Sequence, residues 1–345
     1  MSTTTGSALY PWHHAAWEQW QQLRERLPHA ILFHGPQGTG KTAFAEACAA
    51  ALLCETPTTQ GHACGSCDAC GWFAQYSHPD YRRVRPEALE DDATEGEDEG
   101  ESKKAKSTKA PSKDIKIDQV RALGDFMNIS THRSGVRVVL LHPAEALNTA
   151  AANSLLKMLE EPPPHTVFLL VSNGLDRLLP SILSRCRKFA LPMPEHAQAL
   201  QWLSAQDLRD AESWLAEEGG APLAALEASQ NENREAMDLL LRQLAQPSVE
   251  GALKTADALQ KTPVLSLVTW QQRWLYDVLA CKLSDRVRYY PRYRKELARV
   301  AERVETAAVL QAQKAIGERR AIAEHPLSPK LFVEDMLLEY TAIFS

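Results

Sequence analysis

The 345-residue chain has no apolar run approaching the roughly 20 residues that a membrane-spanning helix requires. Its opening, MSTTTGSALYPW, has neither a basic start nor an apolar stretch of the kind that directs secretion, so a cytoplasmic location is expected. Positive charge is also short: 38 Lys and Arg stand against 44 Asp and Glu, a net charge of −6. Affinity for naked nucleic acid comes from clustered cations on phosphates, so this balance argues against a stand-alone nucleic-acid binder. Cysteines number seven, an odd total that does not fit a disulfide framework. No internal repeat is visible. What is present, 44% hydrophobic and 24% charged residues, fits a globular chain long enough for two or three domains.

Much of the charge is local. Residues 90–101 hold eight acids, and residues 103–113 return five lysines. So polar a stretch cannot bury enough apolar surface to offset its ordering entropy, and residues 87–113 are expected to form a disordered surface insertion. An interaction tail is the alternative reading.

Elsewhere the first half alternates short apolar runs with helical patterns. HAILFHG (29–35), RVVLLH (137–142), TVFLLVSN (166–173) and KFALP (188–192) read as strands. KTAFAEACAAALLC (41–54) and NTAAANSLLKMLEE (148–161) read as helices, the second closed by the prolines at 162–164. Apolar strands separated by helices predict a parallel sheet covered on both faces. After residue 195 the strands stop. Residues 195–232 look like a small helical unit broken at Gly219, Gly220 and Pro222, and the remainder repeats its apolar residues at three- and four-residue spacing, as a helical bundle does. Trp270, Trp274 and Tyr276 read as packing residues.

GPQGTGKT, from Gly35 through Pro36, Gln37, Gly38, Thr39, Gly40 and Lys41 to Thr42, is a complete phosphate loop between a strand and a helix. Its backbone N–H groups and the following helix N-terminus suit phosphate oxygens, Lys41 suits the β- and γ-phosphates, and Thr42 suits Mg²⁺. A vestigial glycine turn is the bland alternative. Hydrolysis needs more: a carboxylate at the end of a neighbouring strand to hold Mg²⁺, and often a second acid beside it. RVVLLH ends in His142 and Pro143 instead. Glu145 is close, but its offset of two or three residues is expected to aim it elsewhere. The loop therefore reads as a cradle for ATP or ADP without the acid that would hold Mg²⁺.

Cys54, Cys64, Cys67 and Cys70 fall within seventeen positions, with two C-x2-C steps sharing Cys67. This spacing suits four thiolates around one tetrahedral Zn²⁺, a closed shell with a structural role. A redox-active pair fits the spacing less well. His62 and His78 could replace one ligand, although four sulfurs already complete the shell.

The stretch AANSLLKMLEEPPPHTVFLLVSNGLDRLLPSILSRC (151–186) resembles the clamp-loader branch of the AAA+ ATPases, and the cysteine module after the phosphate-loop helix narrows the likeness to bacterial clamp loaders. HPDYRRVRPE (78–87) and YPW (10–12) belong to the same resemblance, which covers nearly the whole chain and weakens in its helical last third. It implies an α/β AAA+ P-loop domain with an inserted zinc module (1–192), a small helical lid (193–232) and an all-α helical collar (233–345) that assembles five subunits into an open ring. Implied partners are other subunits of the gamma/tau and delta kind and, through the complex, the sliding clamp and primed DNA. In Ser184-Arg185-Cys186 it implies that Arg185 is an arginine finger acting on a neighbour's nucleotide; a helix-end arginine meeting the dipole is the alternative. Asn173 matches the first sensor, aimed at the γ-phosphate. At the second sensor the family has arginine in G-x-x-R, whereas GAPL (220–223) places Leu223 there. The missing acids and arginine imply a subunit that supports clamp loading without independent catalysis. The rival is an ATP-hydrolysing motor subunit similar to gamma or tau. Lys157, Glu160 and Glu161 read as a salt-bridge set on one helix surface, with docking as the next reading.

Overall fold

Strands β1 (Ala30–His34), β2 (Tyr81–Val84), β3 (Arg137–Leu141), β4 (Thr166–Ser172) and β5 (Arg187–Ala190) form one parallel sheet in the order β2-β3-β4-β1-β5. The computed structural model describes residues 9–90, 111–128, 131–132, 135–231, 233–323 and 328–344. The sheet carries the first of two units, Met1–Glu195; the second is His196–Ser345.

The central strands are continuous apolar runs because both of their faces are buried. Ile31, Phe33, Leu169 and Val171 point to one side, where they meet α1 (His14–Arg24) and α2 (Lys41–Leu53) through Trp17, Trp20 and Phe44. The short α3 (Asp68–Ala74) follows α2. Leu32, Val139, Leu141, Phe168 and Leu170 point to the other side, against α4 (Ile117–Asn128), α5 (Thr149–Glu160) and α6 (Pro180–Arg185). The Asn148 side chain caps α5 by accepting the Ala151 N–H at 2.8 Å. At the other end Glu161 leaves the helix before three prolines.

Two expectations are corrected. The sheet has a fifth strand, β2, which the apolar pattern did not reveal. Its four residues pair Tyr81 with Val138 and Val84 with Leu141, while Arg82 and Arg83 carry charge along the sheet edge. The ends of the expected disordered insertion, 87–113, are also ordered. Residues 91–110 lie outside the described residues, but its two ends are joined: Ala88 donates to the Ser112 carbonyl at 3.0 Å, and Glu87 accepts from the Ser112 N–H and pairs with Lys116 at 2.6 Å.

In the second unit, α7 (His196–Ser204), α8 (Ala211–Glu217) and α9 (Pro222–Gln230) close over their own small core of Ala199, Leu203, Leu215 and Ala225. A larger core joins α10 (Arg234–Ala245), α11 (Val249–Leu259), α12 (Val264–Ser284), α13 (Arg294–Arg303), α14 (Thr306–Ile322) and α15 (Pro329–Ala342). At its centre Trp274 Nε1 donates to the Tyr340 hydroxyl at 2.9 Å, which donates onward to the Leu244 carbonyl at 2.9 Å. Trp270 is buried with them, whereas Tyr276 is exposed and meets the edge of Tyr289. Asp277, fully buried, accepts the N–H groups of Arg288, Tyr289 and Tyr290 and so fixes the turn before α13. Among the described residues no helix is long and apolar enough to cross a membrane.

Candidate nucleotide cradle, cysteine cluster and Arg185

The phosphate loop runs from the end of β1 to the first turn of α2. A Cβ at Gly35 would lie 1.9 Å from the Leu191 carbonyl oxygen, so only glycine fits there. Gly40, at φ 83°, sits at the N-cap of α2 against the Tyr10 ring, where a Cβ would approach to 2.6 Å. Thr39 Oγ1 donates to the Pro36 carbonyl at 3.0 Å, and Lys41 Nζ donates to the same oxygen at 2.5 Å. Lys41 is only 4% exposed, and burial pushes its ammonium down to about 8, against the opposing attraction of Glu145.

An aromatic segment backs this loop, although the sequence marked it only as part of a resemblance. Trp12 Nε1 donates to the Thr39 carbonyl at 2.8 Å, and Tyr10 stacks on Trp12 with ring centroids 5.0 Å apart. His13 is buried edge-on to Phe44, and burial pushes its imidazole down to about 4, so it is neutral at physiological pH. The signal was available in YPWHHAAW, an aromatic cluster at a helix start.

Past the end of β3, His142 donates its backbone N–H to the Val84 carbonyl at 3.0 Å. Burial, reinforced by Arg83 and Arg85, holds its side chain down to about 4. A neutral imidazole therefore stands where a metal-holding acid was sought. Glu145 follows just beyond. The chain turns at once through a 3-10 helix, Ala144–Ala146, which sets Glu145 beside the end of β4. Its Oε1 accepts the Asn173 backbone N–H at 3.0 Å, and its Oε2 is buried with no hydrogen-bond partner. Asn173 itself is exposed just past the end of β4. Leu223 lies in the first turn of α9.

Cys54, at the C-terminus of α2, and Cys64, Cys67 and Cys70 bring their sulfurs within 4.8 Å of one another. Cys54–Cys67 and Cys64–Cys70 are each 3.9 Å apart. Four sulfurs around Zn²⁺ at about 2.3 Å stand about 3.8 Å from each other, so the donors fit this ion. The N–H groups of Ser66 and Cys67 point at Cys64 Sγ at 3.4 and 3.3 Å, and the Cys64 N–H points at Cys54 Sγ at 3.2 Å, an arrangement that favours thiolates. Neither histidine substitutes: His62 stacks on Trp17 at 4.3 Å, and His78 Nδ1 accepts the Asp80 N–H at 3.0 Å. The module is tied to the sheet domain by Arg24, which donates to the carbonyls of Ala51 and Gly61, and by Trp17, which donates to that of Gln60.

Arg185 ends α6. Its guanidinium donates to the Ser181 carbonyl at 3.0 Å and pairs with Glu160 of α5 at 2.6 Å. Glu160 thus reaches across to α6, a partner other than the one expected along its own helix. The Arg185 side chain is 34% exposed.

A parallel five-stranded α/β domain with a phosphate loop, a four-cysteine cluster after its first loop helix and a helical second unit defines a protein of the AAA+ clamp-loader class. The sequence comparisons make this specific. The family described as DNA polymerase III, delta subunit, matches residues 12–195. The subunit delta' of Pseudomonas aeruginosa DNA polymerase III is 39% identical over 289 residues, 80% of this chain and 79% of that protein. The Haemophilus influenzae subunit delta' is 33% identical over 81% of this chain and 79% of its own length. The Bacillus subtilis DNA polymerase III subunit tau is 29% identical over 71% of this chain but only 38% of its own length. The chain belongs to the family of DNA polymerase III delta' subunits.

Proposed function

We propose that this chain is a stator of the clamp loader: it binds nucleotide without turning it over and supplies Arg185 to the ATP site of a neighbouring subunit. The observation that carries the reading is a mismatch within one domain. The loop Gly35–Thr42 is complete and glycine is sterically required in it, yet β3 leads into His142 and Pro143, and the nearby Glu145 is spent on the Asn173 N–H. One carboxylate cannot both hold a metal and polarise an attacking water. Leu223, on the small helical unit read as the lid, offers no charge to a phosphate.

Arg185 supports the outward half of the reading. Its planar fork is rigid, permanently charged and partly exposed, and Glu160 holds it ready at the end of α6. The three-part division into an AAA+ core, lid and collar agrees with the separate cores of residues 199–226 and 237–340. In the collar, Val249, Leu283, Ile322 and Leu331 are each more than half exposed, apolar surface suited to neighbouring subunits of the gamma/tau and delta kind. Through them the chain would take part in placing the sliding clamp on primed DNA during replication.

The test is ATP turnover by the purified chain. The stator reading expects none above background. Turnover abolished by Lys41→Ala would establish the motor reading instead.

A further inference from the structure

We propose that Glu160 is a positioning residue for Arg185: its carboxylate sets the direction of the guanidinium that a neighbouring subunit's nucleotide meets. Resting on the arginine-finger reading above, it adds a second residue, from a different helix, to the outward-acting site.

Arginine is long and rich in rotamers, and α6, which Arg185 ends, is only six residues long. After it the chain passes at once into the extended Cys186. So short a helix does not fix the guanidinium alone; contacts from two helices do. Within α6, Nη1 donates to the Ser181 carbonyl at 3.0 Å and lies 3.4 Å from the Ser184 hydroxyl. From α5, Glu160 Oε1 takes the other terminal nitrogen, Nη2, at 2.6 Å. With both terminal nitrogens engaged from different helices, the plane of the fork is defined.

Glu160 is itself well placed to do this. It stands in the last turn of α5, a helix capped by Asn148 at one end and stopped before three prolines at the other. Leu155 and Leu159 of that helix share a buried core with Ile182 of α6, so the two backbones are packed together. The negative end of the α5 dipole lies at the same end as Glu160. Among the described residues Arg185 pairs with Glu160 and not with the adjacent Glu161.

The pair adds little to stability, because the two side chains are 34% and 49% exposed and such pairs are screened. What it supplies is order. A charge helps a transferring phosphate only when it is aimed, and a free arginine loses rotamer entropy at each turnover that a held one lost on folding.

The experiment uses the reconstituted five-subunit loader with clamp and primed DNA, and reads kcat and KM for ATP separately. Glu160→Ala should lower kcat about threefold to tenfold, with KM changed less than about twofold and the complex intact by gel filtration. Glu160→Gln, which keeps an oxygen at the same reach, should recover at least about half of the wild-type kcat. Glu161→Ala, which removes the same charge one residue away, should match the wild type. In an Arg185→Ala background, Glu160→Ala should have no further effect, since it acts only through that side chain. An unchanged or raised kcat in Glu160→Ala overturns the assignment. So does a Gln variant no faster than the Ala one, an equal loss in Glu161→Ala, or losses that multiply in the double variant. If Arg185→Ala alone leaves turnover unchanged, the finger reading fails and takes this role with it. If Arg185→Ala slows turnover and Glu160→Ala does not, only the positioning role fails.

Discussion

The phosphate loop and the cysteine cluster sit at opposite ends of the same helix, α2, and are assembled differently. At its C-terminus, Cys54 joins three sulfurs that follow within seventeen positions, and nothing distant is needed to complete the donor set. At its N-terminus, the loop leans on Tyr10 and Trp12 from one side and on the Leu191 backbone, about 150 residues later, from the other. A metal site made of neighbours in sequence can be read from spacing alone, because tetrahedral geometry constrains the spacing. A nucleotide site made by convergence cannot, because its decisive residues are set by where strands end in space.

That contrast can be broken most sharply at the metal end. Cys67→Ser should reduce bound zinc from about one per chain to a small fraction, measured by metal analysis after dialysis, and lower the melting temperature by on the order of 10 °C. Retained zinc would mean that the four-sulfur shell is wrong. At the loop end, Gly35→Ala should cost about 2 kcal/mol or more in urea unfolding, because its Cβ meets the Leu191 carbonyl at 1.9 Å. A neutral result would show that the loop is not pinned to the strand beside it.

A smaller effect separates the two ends by pH. Lys41 is pushed from its ordinary 10.5 down to about 8, so between those values the unfolded chain binds more protons than the native one. Stability should therefore rise with pH across that window. Relative to Lys41→Met, the wild type should gain about 1 kcal/mol from pH 8 to 10, a figure reduced for solvent screening. A flat difference would mean that Lys41 is not buried as a charge. Least of all, Glu160→Gln should change stability by about 0.5 kcal/mol or less, because its pair with Arg185 is exposed.

What the sequence revealed follows the same division. Strands β1, β3 and β4 were legible because burial on both faces makes them unbroken apolar runs, and helix α5 because an asparagine cap and three prolines bound it. Strand β2 was not, since an edge strand of four residues with two arginines has no apolar period. The cysteines were found as a set. The bond from the Asn173 N–H to Glu145 was not legible, because it joins the ends of two strands that lie 28 residues apart in the chain. The joined ends of the acidic insertion were hidden for a related reason. Glu87 looks like one more acid in a run, yet its partners, Ser112 and Lys116, lie beyond the whole run.

The central claim is that the chain's part in ATP hydrolysis is played on another subunit's nucleotide. It is tested most directly by Arg185→Ala in the reconstituted five-subunit loader, with assembly followed by gel filtration and ATP turnover measured with clamp and primed DNA. The account predicts an intact complex whose turnover falls by about tenfold or more, the scale on which a charge aimed at a transferring phosphate acts. An intact complex with unchanged turnover would contradict it.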